Sequence, residues 1–222
     1  MNREPSEGPG FVVATWNVEW ASPLSRRGKV IRECLTASKA DVICVTEGFA
    51  ENLPAGGQII EAHPDYGYPL REGRRKVLLW TRHRWRDVDA FGNEHLPPGR
   101  FVAGTLDCDG ASIQILGVCI PWPAAHVSSG RRDRARWEDH LLYLRALGDD
   151  LRRRPAMPTI VLGDFNQAIP RVRQRLDVAE ALRTEVLELD LQALSAHMRA
   201  EDGLPFIDHI VVSRHIEGEI LR

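Results

Sequence analysis

The sequence predicts an α/β fold in which helices pack against a partly antiparallel sheet. Apolar residues make up 43% of the 222 residues and charged residues 27%, which is typical of an ordinary globular domain. Short β-branched runs recur along the chain, and only some of them are followed by a helical segment. A regular alternation of strands and helices would predict a parallel sheet, so this mixed order favours α/β layers with antiparallel pairs.

The first part of the chain combines strands with one helix. The run FVVATWNV at 11–18 predicts a strand, and the spacing of apolar residues predicts a helix over 27–38. DVICVTEG at 41–48 is typical of a buried strand that ends in a glutamate. Residues 50–74 are rich in glycine and proline, with one short strand expected near Ile59.

The remaining elements follow the same reasoning. Apolar runs predict strands at 76–81, 101–107 and 112–120. An apolar stripe over 134–152 predicts an amphipathic helix, and 172–194 is expected to form an acidic helix. TIVLGDFN at 159–166 predicts a strand that runs into a turn, and FIDHIVVS at 206–213 predicts a last strand. Without a repeat or a dividing linker, we expect a flexible leader over 1–9 and one domain over 10–222.

Charge and cysteine content narrow the class of protein. Lys plus Arg is 29 and Asp plus Glu is 31, so the formal net charge is −2. This excludes a protein that binds nucleic acid through net charge alone, but a local basic groove stays possible. The scarcity of lysine is explained either by a GC-rich genome or by guanidinium recognition of phosphate.

The four cysteines are not closely spaced, and the sequence contains neither an apolar signal segment nor a membrane-spanning run. These features predict a cytoplasmic protein. The sequence gives no indication of oligomeric state.

Acidic and amide side chains fall at the ends of apolar strands, where loops gather. Such oxygen ligands suit Mg²⁺, which one or two carboxylates hold together with waters and substrate phosphate. Each residue also has a plain structural interpretation, namely a turn cap, a solvated strand end, an Asx-turn or a partner for an arginine. The joint occurrence favours a site; its members are Asn17, Glu19, Glu47, Asp164, Asn166 and Asp208.

TWNVEW, DVICVTEG, GDFN and IDHIVVS together resemble the endonuclease/exonuclease/phosphatase superfamily over residues 11–213. The resemblance implies a single-domain, four-layer α/β/β/α sandwich with two packed mixed sheets. It also implies Mg²⁺- or Mn²⁺-dependent hydrolysis of a phosphate ester by direct attack of water.

The resemblance assigns roles to five of these residues. Glu47 matches the metal-binding glutamate, Asn17 the amide beside metal and phosphate, and Glu19 a second acidic residue of several nucleases. Asp164 matches the aspartate that orients or deprotonates the attacking water. Asn166 matches an amide that donates to a non-bridging oxygen of the scissile phosphate.

Two histidines of the family pattern have no match. Cys119 stands where the first of these histidines is expected. It is either a core residue or has an active role. Asp208 matches the aspartate that orients the histidine of a later Ser-Asp-His motif, which residues 1–222 do not include. His209 is a candidate replacement, although it faces away if Asp208 faces the site; His126 and His215 are others. We therefore expect a domain that lacks its usual last strand, binds metal and hydrolyses phosphodiesters weakly.

Two arginine-rich stretches are candidates for substrate binding. RRDRAR at 131–136 includes Arg131 and Arg132, and lies near Trp122 and His126. A second cluster spans 71–86 and contains two tryptophans. Arginine beside aromatic rings suits single-stranded nucleic acid, whereas the alternative is a solvated charged face.

Three functional hypotheses follow. The first is a metal-dependent nuclease that cleaves DNA or RNA. The second is a phosphatase or phosphodiesterase that acts on a small or lipid phosphoester, and the third is a catalytically impaired binding module of the same fold. The nuclease should show a steep dependence of substrate binding on salt, and the enzyme for a small phosphoester should not.

Overall fold

Two β-sheets organise residues 10–108 and 110–220, which are the residues described in this computed structural model. The strands of the smaller sheet are β1 (Val13–Asn17), β2 (Val42–Gly48), β3 (Gln58–Glu61) and β4 (Arg75–Thr81). Their spatial order is β1-β2-β4-β3. β1 and β2 run parallel, and the other pairs are antiparallel.

The larger sheet contains six strands. They are β5 (Arg86–Asp89), β6 (Phe101–Cys108), β7 (Ala111–Cys119), β8 (Thr159–Asp164), β9 (Leu191–Ala193) and β10 (Asp208–Ser213). Their order is β5-β6-β7-β8-β10-β9, and only β7 and β8 pair in parallel. Both sheets are therefore mixed.

The helices cover the outer faces of the sheets. α1 (Arg26–Ala37) packs Ile31 and Leu35 against the smaller sheet, while α2 (Glu138–Arg153) and α3 (Leu176–Leu182) cover the larger one. A third apolar cluster fills the space between the sheets. These layers confirm the α/β/β/α sandwich that the resemblance implied. Within the described ranges, every helix is too short or too polar to cross a membrane.

Two parts of the secondary structure differ from the prediction. The acidic helix predicted over 172–194 is wrong before Leu176 and beyond Leu187, because α3 begins at Leu176, ends in a π-helical turn, Arg183–Leu187, and β9 follows. β9 pairs with β10 over only three residues, so tertiary pairing rather than local pattern creates it. β5 was not predicted, because most of its residues are exposed and they form no apolar run.

Several strand ends meet at one edge of the sandwich. Asn17 is the last residue of β1, Asp164 the last residue of β8, and Glu47 lies at the end of β2. β10 begins at Asp208, which is the antiparallel register partner of Asp164. Residues that lie far apart in sequence thus come together from both sheets.

Candidate active site

Asp164 lies at the centre of the polar cluster. Its Oδ2 accepts hydrogen bonds from the side-chain amides of Asn17 and Asn166, each at 2.8 Å. Its Oδ1 accepts the backbone N–H of Asn166 at 2.9 Å. Burial raises the pKa of Asp164 to about 6, although these hydrogen bonds oppose the shift. A buried carboxylate with three fixed donors is well placed to orient a small polar molecule and to accept a proton near neutral pH.

Glu47 is paired with the ammonium group of Lys76. The backbone of Glu47 has a φ of 52°, a conformation uncommon for a residue other than glycine and frequent at functional sites. Lys76 is buried, and its Nζ lies 5.2 Å from the ring centre of Trp20 and 5.7 Å from that of Tyr66. The lysine therefore places a fixed positive charge beside Glu47.

Asp208 has a carboxyl oxygen, Oδ1, that is buried and has no hydrogen-bond partner among the described residues. Burial and the neighbouring charge of Asp164 raise the pKa of Asp208 to about 8, and Glu47 adds to this shift. The sequence predicts either an arginine or a water molecule as the partner of Asp208, and within residues 10–108 and 110–220 no arginine forms an ion pair with it.

This donor set fits a divalent cation coordinated partly by water. No three His, Cys, Asp or Glu side chains of the described chain enclose a metal by themselves. However, Mg²⁺ usually keeps several waters and binds through one or two carboxylates. The buried, unpartnered oxygen of Asp208 and the mutual repulsion of Asp164, Asp208 and Glu47 are features that a cation would relieve.

Asn166 has a different set of contacts from the one that the sequence suggested. Its Nδ2 donates to Asp164 Oδ2 at 2.8 Å and to the carbonyl oxygen of Ile120 at 2.9 Å. The Asn166 amide thus donates to two protein acceptors, and its donation to a phosphate oxygen stays a prediction. In this structure Asn166 positions Asp164.

Glu19 lies at the rim of the cluster. Its side chain is 69% exposed and forms an ion pair with Arg27 at 2.8 Å. Its backbone N–H donates to Asn17 Oδ1 at 2.9 Å, so Glu19 helps to fix the Asn17 amide. The structure therefore groups Asn17, Glu47, Asp164, Asn166 and Asp208, with Glu19 beside them.

His209 does not join this group. Its Nδ1 lies 2.9 Å from Ser195 Oγ and its Nε2 lies 3.0 Å from the carbonyl oxygen of Gln167. The ring packs against Phe165 in the cluster under α2, on the face of β10 opposite the intersheet core. We therefore remove His209 from the predicted catalytic group, because the alternation of side chains along β10 turns it away.

The other substitutes for the missing histidines are also occupied. His126 is buried, stacks on Tyr68 with a centroid distance of 4.6 Å, and has both ring nitrogens within 3.2 Å of Arg131 atoms. Its predicted contact with substrate is corrected to a structural role. Cys119 is buried, and burial raises the pKa of its thiol to about 12, which agrees with a core residue. His215 lines a separate pocket, together with Asp190, Leu191 and Ser213.

Of the four predicted substrate-binding residues, only Trp122 lines the same pocket as Glu47 in the described part of the chain. Arg131 forms ion pairs with Asp133 and Asp139, and Arg132 is exposed in a left-handed turn with a φ of 62°. The loop of arginines is thus partly neutralised by its own acidic residues.

A groove that Glu47 helps to line brings together Trp122 and the first arginines of the 71–86 cluster with aromatic residues to which the sequence assigned no role. We call it the aromatic groove and define it by Trp20, Tyr66, Tyr68, Trp122, Arg71 and Arg74. Lys76 and Glu47 border it. Consecutive positive φ angles at Glu19 and Trp20 turn the chain sharply after β1. The sequence singled out Trp122 and the stretch 71–86, which contains Arg71, Arg74 and Lys76, but it assigned no role to Trp20, Tyr66 or Tyr68.

Comparisons with known proteins agree with this geometry. The model of the Endonuclease/Exonuclease/phosphatase family matches residues 14–218. No sequence among curated proteins matches significantly. A 3′ phosphatase from Neisseria, solved with a product DNA hairpin, has a TM-score of 0.63 and 18% identity, with coverage of 92% of this chain and 87% of that one.

Two other solved structures have the same fold. The endonuclease domain of TRAS1, a telomere-specific retrotransposon, has a TM-score of 0.62 and 14% identity, and the alignment covers 92% of this chain and 85% of that one. A mannosyl-6-phosphatase from Bacteroides thetaiotaomicron has a TM-score of 0.59 and 17% identity, with coverage of 93% and 86%. The family match spans nearly all of the described residues, and the clustered carboxylates lie at its strand ends. The chain therefore belongs to the endonuclease/exonuclease/phosphatase family, a superfamily of metal-dependent phosphoesterases.

Proposed function

We propose that this chain is a Mg²⁺- or Mn²⁺-dependent phosphodiesterase that cleaves nucleic acid. The observation that carries the proposal is the convergence of Glu47, Asp164 and Asp208 at one edge of the sandwich. Among the described residues, Asp164 and Asp208 have no cationic partner in an ion pair. Concentrated negative charge of this kind suits a site for a divalent cation and a phosphate ester.

Each residue of the cluster has its own role in the proposed reaction. Glu47 and the Oδ1 of Asn17 would hold the cation, with Glu19 at the rim; when bound, the cation neutralises charge on the phosphate. Asp164 orients a water molecule and accepts its proton, because Asn17 and Asn166 fix both of its oxygens. Lys76 supplies a further positive charge toward the phosphate. Asp208 provides a carboxyl group that can exchange a proton near neutral pH.

Nucleic acid is the proposed substrate because both cationic side chains and aromatic rings line the aromatic groove. The guanidinium of Arg74 lies 4.7 Å from the ring centre of Trp20, and the ring of Tyr66 stacks on Trp20 at 5.6 Å. Arginine and aromatic side chains together are typical of surfaces that bind the backbone and bases of single strands.

Turnover of bis-p-nitrophenyl phosphate tests the proposal. We expect hydrolysis with Mg²⁺ or Mn²⁺, none with EDTA, and a loss of roughly 100-fold or more in Glu47→Gln and Asp164→Asn, since these groups act in the chemical step. Glu94→Gln, at an exposed glutamate outside the cluster, is the matched control. Turnover that resists EDTA, or that both site variants retain, would contradict the proposal. Metal binding without turnover would favour the impaired binding module.

A phosphatase or phosphodiesterase for a small or lipid phosphoester is the second candidate, and the solved mannosyl-6-phosphatase of the same fold is the reason to test it. Binding of a single-stranded oligonucleotide should weaken as salt rises, with a logarithmic slope of about −0.7 for each phosphate contacted. A flat salt response, with faster hydrolysis of a monoester than of a diester, would favour this second candidate.

A further inference from the structure

The aromatic groove contains one large ring that is free to receive a planar ligand. Trp122 is 43% exposed and lies beside the hydroxyl of Tyr68. In the described part of the chain it stacks on no other ring. The remaining rings already have partners, since Trp20 contacts Tyr66 and Arg74, and Tyr68 stacks on His126.

The positive charges in the groove favour a ligand that carries an anionic group as well as a planar one. Arg71, Arg74 and Lys76 line the same groove, and Lys76 is paired with Glu47, which also lines it. A planar group on Trp122 would therefore share the groove with three cations and with Glu47, where a phosphate is proposed to bind. A nucleotide has this combination of a flat base and an anionic phosphate.

A sugar phosphate fits the groove less well. Recognition of sugar hydroxyls needs several acceptors and donors such as carboxylates and amides. Apart from Glu47, which is paired with Lys76, the lining offers tyrosine hydroxyls and Ser129, and no amide side chain. Stacking, by contrast, needs only a flat π-surface and tolerates every base.

We propose that Trp122 is the stacking platform for an unpaired nucleobase next to the scissile phosphate, so that the preferred substrate is single-stranded or frayed nucleic acid. This inference rests on the proposed function, because it assumes that the phosphate binds at the Glu47 edge. Base pairing would hide the face of the base in a duplex, and the platform would then add nothing to binding.

Fluorescence anisotropy with a labelled single-stranded hexanucleotide tests this proposal in an Asp164→Asn background, so that the probe survives. We expect Trp122→Ala to weaken binding roughly 5- to 100-fold, the range for loss of one stacked base. Trp122→Phe should recover most of this loss. The matched control is Phe91→Ala, at an exposed aromatic residue outside the groove. A hexamer of abasic sites should bind the parent and Trp122→Ala equally.

Three results would overturn the proposal: unchanged affinity in Trp122→Ala, an equal loss for the base-bearing and abasic hexamers, or equal affinity for a blunt duplex of the same sequence. Stronger competition by mannose 6-phosphate than by adenosine monophosphate would point to a sugar ligand instead. Hydrolysis of bis-p-nitrophenyl phosphate by the unmodified chain reports on the proposed function separately. The platform can therefore fail while the metal-dependent phosphodiesterase stands, and the two assays distinguish one failure from the other.

Discussion

Lys76 controls the charge balance around Glu47. It is buried, it pairs with the Glu47 carboxylate, and the rings of Trp20 and Tyr66 surround it. In the proposed function, a divalent cation held by Glu47 would compete with Lys76 for the same carboxylate oxygen atoms. We therefore expect the lysine to lower the apparent affinity for metal.

Replacement of Lys76 by methionine tests this competition. Without metal, Lys76→Met leaves a largely buried carboxylate unpaired, and we expect Tm to fall by roughly 5–10 °C. Mn²⁺ should then raise the Tm of the variant more than that of the parent, because it no longer displaces an ammonium group. Thermal unfolding over a Mn²⁺ titration measures both effects, with Lys29→Met at an exposed lysine as the control. An equal Mn²⁺-induced shift in the variant and the parent would refute the competition.

At the scale of elements, the end of β8 determines where Asp164 lies. Gly163 has a φ of 137°, and a Cβ at this position would lie 2.0 Å from the carbonyl oxygen of Val118. Gly163 and Val118 are register partners in the parallel pair of β7 and β8. Close approach of the two strands, and with it the position of the following aspartate, therefore depends on glycine here.

Gly163→Ala should separate β7 from β8. We expect a loss of about 2 kcal/mol or more in the free energy of unfolding, from backbone strain and from the clash with Val118. Gly203→Ala is the matched control, because Gly203 has a φ of 79° with nothing within 4 Å of the added Cβ. Urea unfolding of both variants isolates the cost of the clash. Equal losses in the two proteins would show that β7 and β8 can accommodate the methyl group.

At the scale of the whole molecule, the fold was largely accessible from the sequence and the site only in part. Most strands were predicted because their β-branched runs are long and buried. β9 was not, because three residues paired to β10 leave no local pattern. Glu47 and Asp164 were predicted because they end buried strands. The roles of His126 and Trp20 depend on loops that bring Tyr66 and Tyr68 against them, and no periodicity encodes such contacts.

Acid sensitivity is a global property that a buried histidine should control. His140 is buried, with Nδ1 2.8 Å from the carbonyl oxygen of Pro121, and burial lowers its pKa to about 4. The unfolded chain, with a histidine pKa near 6.5, binds more protons between these values. The contribution of His140 to stability is therefore complete above pH 6.5, falls as pH decreases toward 4, and then levels off.

The difference in unfolding free energy between the parent and His140→Gln isolates the contribution of His140. Asp164 and Asp208, whose pKa values are raised, change stability with pH in the opposite direction and are present in both proteins. Relative to the variant, the parent should lose up to about 3 kcal/mol of unfolding free energy between pH 6.5 and 4. Urea titrations at several pH values measure the difference, with His95→Gln at an exposed histidine as the control. A difference that is independent of pH would mean that His140 titrates normally in the folded protein.

The hydrogen bond between Asn17 and Asp164 has a consequence for biosynthesis. It joins β1 of one sheet to β8 of the other, across 147 positions of sequence. Asp208, on the strand beside β8, is reached later still along the chain. During translation, the acidic residues thus emerge one after another and stay separated until the two sheets dock. A nascent chain therefore has no assembled cluster until β10 has been synthesised and the two sheets have docked.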